Sequence, residues 1–84
     1  MLLEINQKSI EISPQVILQE YTNGTSEFNG QTIPLGALMQ HLFPHSNEGL
    51  AVAIDDLVVS YANWSNTPVK ENDKILILTA SQGG

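Results

Sequence analysis

An α+β fold with one main helix on one face of a mixed sheet of about five strands is predicted for this chain. Three observations predict it: two hairpin-like segments of period two, a single helical stretch between them, and a late apolar run fit for a central strand. Leu3, Ile5, Ile10 and Ile12 alternate with more polar residues on either side of Asn6-Gln7-Lys8, so the first two strands form an antiparallel hairpin. Leu50, Val52 and Ile54 alternate with Ala51 and Ala53, run into Asp55-Asp56, and continue as Leu57-Val58-Val59, a second hairpin.

Between the hairpins, Thr32 is expected to cap a helix whose first turn tolerates Pro34. Leu35, Leu38, Met39 and Leu42 then recur at helical spacing up to a stop at Pro44, with Gly36 weakening the helix without excluding it. The polar turn Glu71-Asn72-Asp73 precedes Ile75-Leu76-Ile77-Leu78, the central-strand candidate. The order strand, strand, helix, strand, strand, strand is that of a β-grasp, the ubiquitin-like layer pair. Residues 1–78 are read as one domain. Within it, 13–31 hold only the short apolar island Val16-Ile17-Leu18 among turn formers and are read as an insertion or long loop. Residues 79–84 are read as a flexible C-terminal tail.

Composition narrows the function. Eighty-four residues make one small domain, in which a deep enclosed active site is not expected. Nine acidic residues against three lysines and no arginine give a net charge of -6, which disfavours nucleic acid and anionic membranes. With no cysteine, disulfides, thiolate zinc sites and thiol nucleophiles are excluded. The start Met1-Leu2-Leu3-Glu4 lacks the pattern of a signal peptide, no apolar run approaches a membrane span, and a cytoplasmic location is expected.

Side chains that could carry chemistry read more simply as structure. His41 and His45 are separated by the helix-ending Pro44 and are not expected to share a metal. Asp55 and Asp56, adjacent at a hairpin tip, point apart into water and make no acid–base pair. Trp64 is read as a plug over one end of the core. No catalytic residue and no metal site is assigned.

The terminus is different. Glycine usage of about 7% makes a terminal Gly83-Gly84 a chance event in roughly 0.5% of chains. Two residues without Cβ atoms form a thin thread that can enter a narrow channel, with the Gly84 carboxylate sterically open. Along the preceding strand, Ile75 and Ile77 are expected to face the helix. Leu76 and Leu78 then point to the opposite face, near Ala51 and Ala53, as a partner-docking surface.

Leu50-Ala51-Val52-Ala53-Ile54-Asp55-Asp56, Val58-Val59, Trp64, Thr67-Pro68-Val69 and the run from Asn72 to Gly84 together resemble the ThiS family, the sulfur carriers of thiamin (thiazole) biosynthesis. The pattern Asn72-Asp73-Lys74-Ile75-x-Ile77 and the ending Thr79-Ala80-x-Gln82-Gly83-Gly84 are the specific part, and residues 1–12 fit the first hairpin more loosely. The resemblance implies a protein co-substrate, not an enzyme. A ThiF-like adenylating enzyme would use ATP on the Gly84 carboxylate, and a sulfur donor such as a cysteine desulfurase would convert the adenylate to a thiocarboxylate. That sulfur would pass to a ThiG-like thiazole synthase, with Thr79, Ala80, Ser81, Gln82 and Gly83 threading the partner's active site. No stably bound cofactor is implied. Alternative readings are the related carrier of molybdopterin synthesis, whose tail typically contains prolines that Thr79-Ala80-Ser81-Gln82 lacks, a ubiquitin-like protein modifier, and an interaction module with an incidental Gly-Gly.

Overall fold

The computed structural model describes residues 1–79. Two hairpins supply the outer parts of the main sheet. β1 (Leu2–Ile5) and β2 (Lys8–Glu11) pair antiparallel, with Leu3 opposite Ile10. β4 (Leu50–Ile54) and β5 (Leu57–Val59) do the same, with Ala53 opposite Val58. Each hairpin turns through two residues of positive φ, Asn6 and Gln7 at 50° and 69° and Asp55 and Asp56 at 50° and 71°. Such turns match the right-handed twist of the strands they join.

β7 (Lys74–Thr79) lies between the hairpins and gives the order β2-β1-β7-β4-β5. It runs antiparallel to β4 and parallel to β1, so the sheet is mixed, as expected for a β-grasp. Ile75 and Ile77 join Leu3, Ile5 and Val52 in one buried cluster with Leu35, Leu38 and Met39 of the helix that covers this face. Trp64 is buried in the same cluster and donates its indole N–H to the Val59 carbonyl at 3.1 Å, so the plug also ties down its own segment.

The segment 13–31 departs from expectation. Pro14–Thr22 is a helix, α1, where the sequence reads as a loop or insertion. Ser13 occupies the N-cap position and Pro14 the start of the first turn, and Asn23 ends the helix in the left-handed conformation at φ 56°. Ile17 and Leu18 are buried, and nine helical residues suffice because that burial holds them in place. The fold therefore carries two helices of similar length, α1 and α2 (Leu35–Leu42). Gly36 of α2 has a packing reason: a Cβ there would lie 2.9 Å from the Tyr21 hydroxyl of α1.

Thr32 does not cap α2. Thr32–Pro34 forms β3, paired with β6 (Pro68–Lys70) as a separate two-stranded sheet in which Ile33 faces Val69. Pro34 takes the N-cap position, with no side-chain cap, and the Leu35 N–H donates to the Thr67 carbonyl at 2.8 Å instead. Both Ile33 and Val69 are buried, and a residue in strand conformation cannot also wind into the first helical turn. A 3₁₀ helix, η1 (Tyr61–Asn66), links β5 to β6.

Among the described residues one charged side chain, that of Asp73, is buried. The Asp73 carboxylate accepts the Lys70 backbone N–H at 2.9 Å and the Lys70 ammonium at 2.7 Å, closing the turn that launches β7. That hydrogen bond, and then the charge of Asp73, raises the Lys70 pKa above its ordinary value. A raised pKa means that the contribution to stability is complete at neutral pH. It is lost only as pH climbs past about 10.4 and through the raised value. Asp73→Ala is expected to cost about 1–3 kcal/mol, since the part-buried Lys70 N–H loses a charged acceptor. The check is a lower urea midpoint with an unchanged slope.

Among the described residues no helix is long and apolar enough to cross a membrane.

Candidate functional site

Strand geometry sends successive side chains to opposite faces, and β7 obeys it residue by residue. Ile75 and Ile77 are 2% and 8% exposed on the helix side, whereas Leu76 and Leu78 are 42% and 55% exposed on the other. The register sets Leu76 opposite Ala53 and Leu78 opposite Ala51, and Ala53 opposite Val58 on the next strand. Two cross-strand rows of apolar side chains, Leu76–Ala53–Val58 and Leu78–Ala51, therefore cover the middle of the outer face, with the small Ala53 lying between taller neighbours. No helix covers this face among the described residues.

The strip has a polar end. Lys74 precedes Leu76 by two residues and stands opposite Glu4. A surface hollow of about 390 Å³ there is lined by Glu4, Gln7, Ala53, Asp55, Asp56, Lys74, Ile75 and Leu76. Three carboxylates against one ammonium leave this rim net acidic. Asp55 and Asp56 sit at the tip of the second hairpin, exposed, as the sequence predicts. The Asp55 carboxylate also accepts the Lys74 N–H at 3.4 Å, beside the backbone bond from Asp55 N–H to the Lys74 carbonyl at 2.9 Å.

At its other end β7 leads directly to the chain terminus. Thr79, expected in the tail, is the last residue of the strand and pairs with Leu50. The remaining site residues assigned from the sequence, Ala80, Ser81, Gln82, Gly83 and Gly84, lie outside the described residues, as does the expected flexibility of the tail beyond Thr79. Five residues separate Thr79 from the Gly84 carboxylate, at most about 18 Å of extended chain.

Asn6, which the sequence places only in a turn, reaches further in the structure. Its backbone N–H donates to the Ile75 carbonyl at 2.9 Å. Its side-chain amide grips Ile77, Oδ1 accepting from the N–H at 2.7 Å and Nδ2 donating to the carbonyl at 3.2 Å. Asparagine at the first turn position marks a left-handed turn in sequence, but carries no trace of a partner 71 residues away.

His41 Nδ1 lies 3.1 Å from Glu20 Oε1, a contact between exposed side chains of α1 and α2. Among the described residues no group of three or more His, Cys, Asp or Glu is placed to hold a metal ion.

A mixed five-stranded sheet with helices on one face, an exposed apolar strip on the other and β7 at its centre defines a β-grasp protein. The ThiS family model matches residues 16–84, and the chain belongs to that family of small sulfur carrier proteins. The match takes in most of the segment read as an insertion. Among solved structures, the crystal structure of a thiamine biosynthesis protein (ThiS) from Geobacter metallireducens is similar over 100% of both chains, at 19% sequence identity and a TM-score of 0.71. At that identity the likeness concerns the fold. No curated protein matches the chain.

Proposed function

We propose that this chain carries sulfur for thiazole formation in thiamine biosynthesis, on the carboxylate of Gly84. The observation that carries the reading is the ThiS family match, which runs through the last residue. A carboxylate oxygen of Gly84 attacks the α-phosphate of ATP on a ThiF-like adenylating enzyme, and pyrophosphate leaves. Persulfide sulfur from a donor such as a cysteine desulfurase then displaces AMP, and a thiol reduces the resulting S–S bond to release the thiocarboxylate. A ThiG-like thiazole synthase consumes that sulfur. The chain is a protein co-substrate in the cytoplasm, with no stably bound cofactor, and ATP belongs to the activating enzyme.

The outer sheet face supports this reading by offering the partners a place to hold. Leu76, Leu78, Ala51 and Ala53 are the proposed docking residues, and an exposed apolar strip of this kind marks interaction sites. Its acidic rim fits a partner surface with basic side chains around an apolar centre. Thr79 to Gly83 would thread the partner's active site.

The test is intact mass after incubation with ATP, the ThiF-like enzyme and a sulfur donor. The expected result is a product in which one oxygen is exchanged for sulfur and which is returned to its starting mass by thiazole synthase. Adducts on other proteins would instead indicate a modifier. Consumption only by molybdopterin synthase would move the carrier to that pathway, and an unchanged mass would sink the carrier reading.

A further inference from the structure

We infer that Asn6 is a positioning residue for sulfur loading, acting through the end of β7 on the place where the carrier tail leaves the sheet. This rests on the sulfur-carrier reading above. β1 and β7 are in register only at Glu4 with Lys74 and Ile5 with Ile75. After Ile5 the chain turns away at Asn6 and Gln7, both in the left-handed region, while β7 continues for four more residues to Thr79. From Ile77 onward β7 has no strand neighbour on the β1 side.

The Asn6 side chain fills that gap. Its amide offers an acceptor and a donor in the arrangement of a peptide group, and it engages both the N–H and the C=O of Ile77. It thus stands in for the missing next residue of β1 and extends the two-sided support of β7 by two residues. Without it, the last stretch of β7 is held by β4 alone, through Leu50 and Ala51. That stretch contains Leu78 of the docking face and Thr79, the root of the tail.

A partner that grips the sheet face and acts on Gly84 depends on the angle between them. In a partner that holds the tail extended, a displacement of Thr79 shifts the reacting carboxylate with it. Errors of about 1 Å in a reacting centre can cost on the order of 100-fold in rate. Asn6 is itself exposed, so removing its amide empties no part of the core.

The experiment compares the parent chain with Asn6→Gly and Asn6→Asp. Glycine keeps the left-handed turn and removes the amide, whereas aspartate keeps the acceptor for the Ile77 N–H and loses the donor to its carbonyl. Asn6→Gly is expected to stay folded under the assay conditions, with a lower unfolding midpoint than the parent because both Ile77 backbone groups lose a partner, and to exchange the Ile77 amide proton faster. Its kcat for loading is expected to fall by about tenfold or more, with KM for the carrier within about twofold. Asn6→Asp is expected to recover part of that kcat. Faster Ile77 exchange with an unchanged kcat would make Asn6 a structural residue only and overturn the inference. A rise in KM alone, or loss of folding in both variants, would overturn it equally. If the parent chain takes up no sulfur, the carrier reading falls and this inference with it; if the parent loads and Asn6→Gly loads at the same rate, this inference alone falls.

Discussion

A chain lacking Gly84 is expected to fold as the parent does and to take up sulfur at least about a hundredfold more slowly. Removing the last residue leaves a carboxylate on Gly83 but retracts it by about 3.5 Å, the reach of one extended residue. Activation must bring the carboxyl group against the α-phosphate of ATP, so an error of this size takes the nucleophile out of range. The buried cluster is built between Leu3 and Ile77, far enough from the terminus for the domain to survive the deletion. Adding an alanine after Gly84 is expected to be as harmful, because it moves the reactive carbon outward and sets a methyl group beside it. Both variants keep Leu76 and Leu78, so their affinity for the activating partner is expected to hold while the rate collapses, which places the defect in the chemistry. Time courses of intact mass, with circular dichroism as the folding control, provide the check. Loading of either variant at the parent's rate would remove Gly84 from the role assigned to it.

The second large effect belongs to the sheet face. Leu76→Lys is expected to weaken binding to the activating partner about thirtyfold, the equivalent of a central interface residue of about 2 kcal/mol. Its stability is expected to stay within about 1 kcal/mol of the parent, since Leu76 already meets solvent and a lysine stem can lie along the same surface. The neighbour on the strand gives the control. Ile77→Ala is expected to cost about 2–5 kcal/mol, because it empties part of the buried cluster. Partner affinity by calorimetry and stability by urea unfolding separate the two substitutions. A Leu76→Lys protein that unfolds early yet binds normally would mean that the two faces of β7 have been assigned the wrong way round.

The alternation along β7 was legible because it depends on nothing beyond the strand: once 75–78 is extended, buried Ile75 and Ile77 force Leu76 and Leu78 outward. Both hairpins were legible for a similar reason, each being two short strand-forming segments around a short polar turn. The helix α1 carried a signal in Ser13-Pro14, but Val16-Ile17-Leu18 is too short an apolar run to show a helical period without knowledge of what covers it. The small sheet of β3 and β6 was hidden more thoroughly. Three residues on each side have no period of their own, and Thr32-Ile33-Pro34 reads equally as the entry to a helix.

By itself the sequence determined the fold class, both hairpins, a helix carrying Leu35, Leu38, Met39 and Leu42 though not where it starts, the two faces of β7 and the family to which its final 35 residues point. These follow from residue type and local spacing, which act over a few neighbours. The tertiary structure alone decided the parallel seating of β7 beside β1, the burial of Asp73 under Lys70 and the reach of the Asn6 amide to Ile77. The first and last of these join polar groups whose partners become available only when the chain is closed, whereas the Asp73–Lys70 contact is local and only its burial needs the rest of the fold. A hydrogen bond leaves no period in the sequence, and a side chain 71 residues from its partner is selected by geometry that local spacing does not contain.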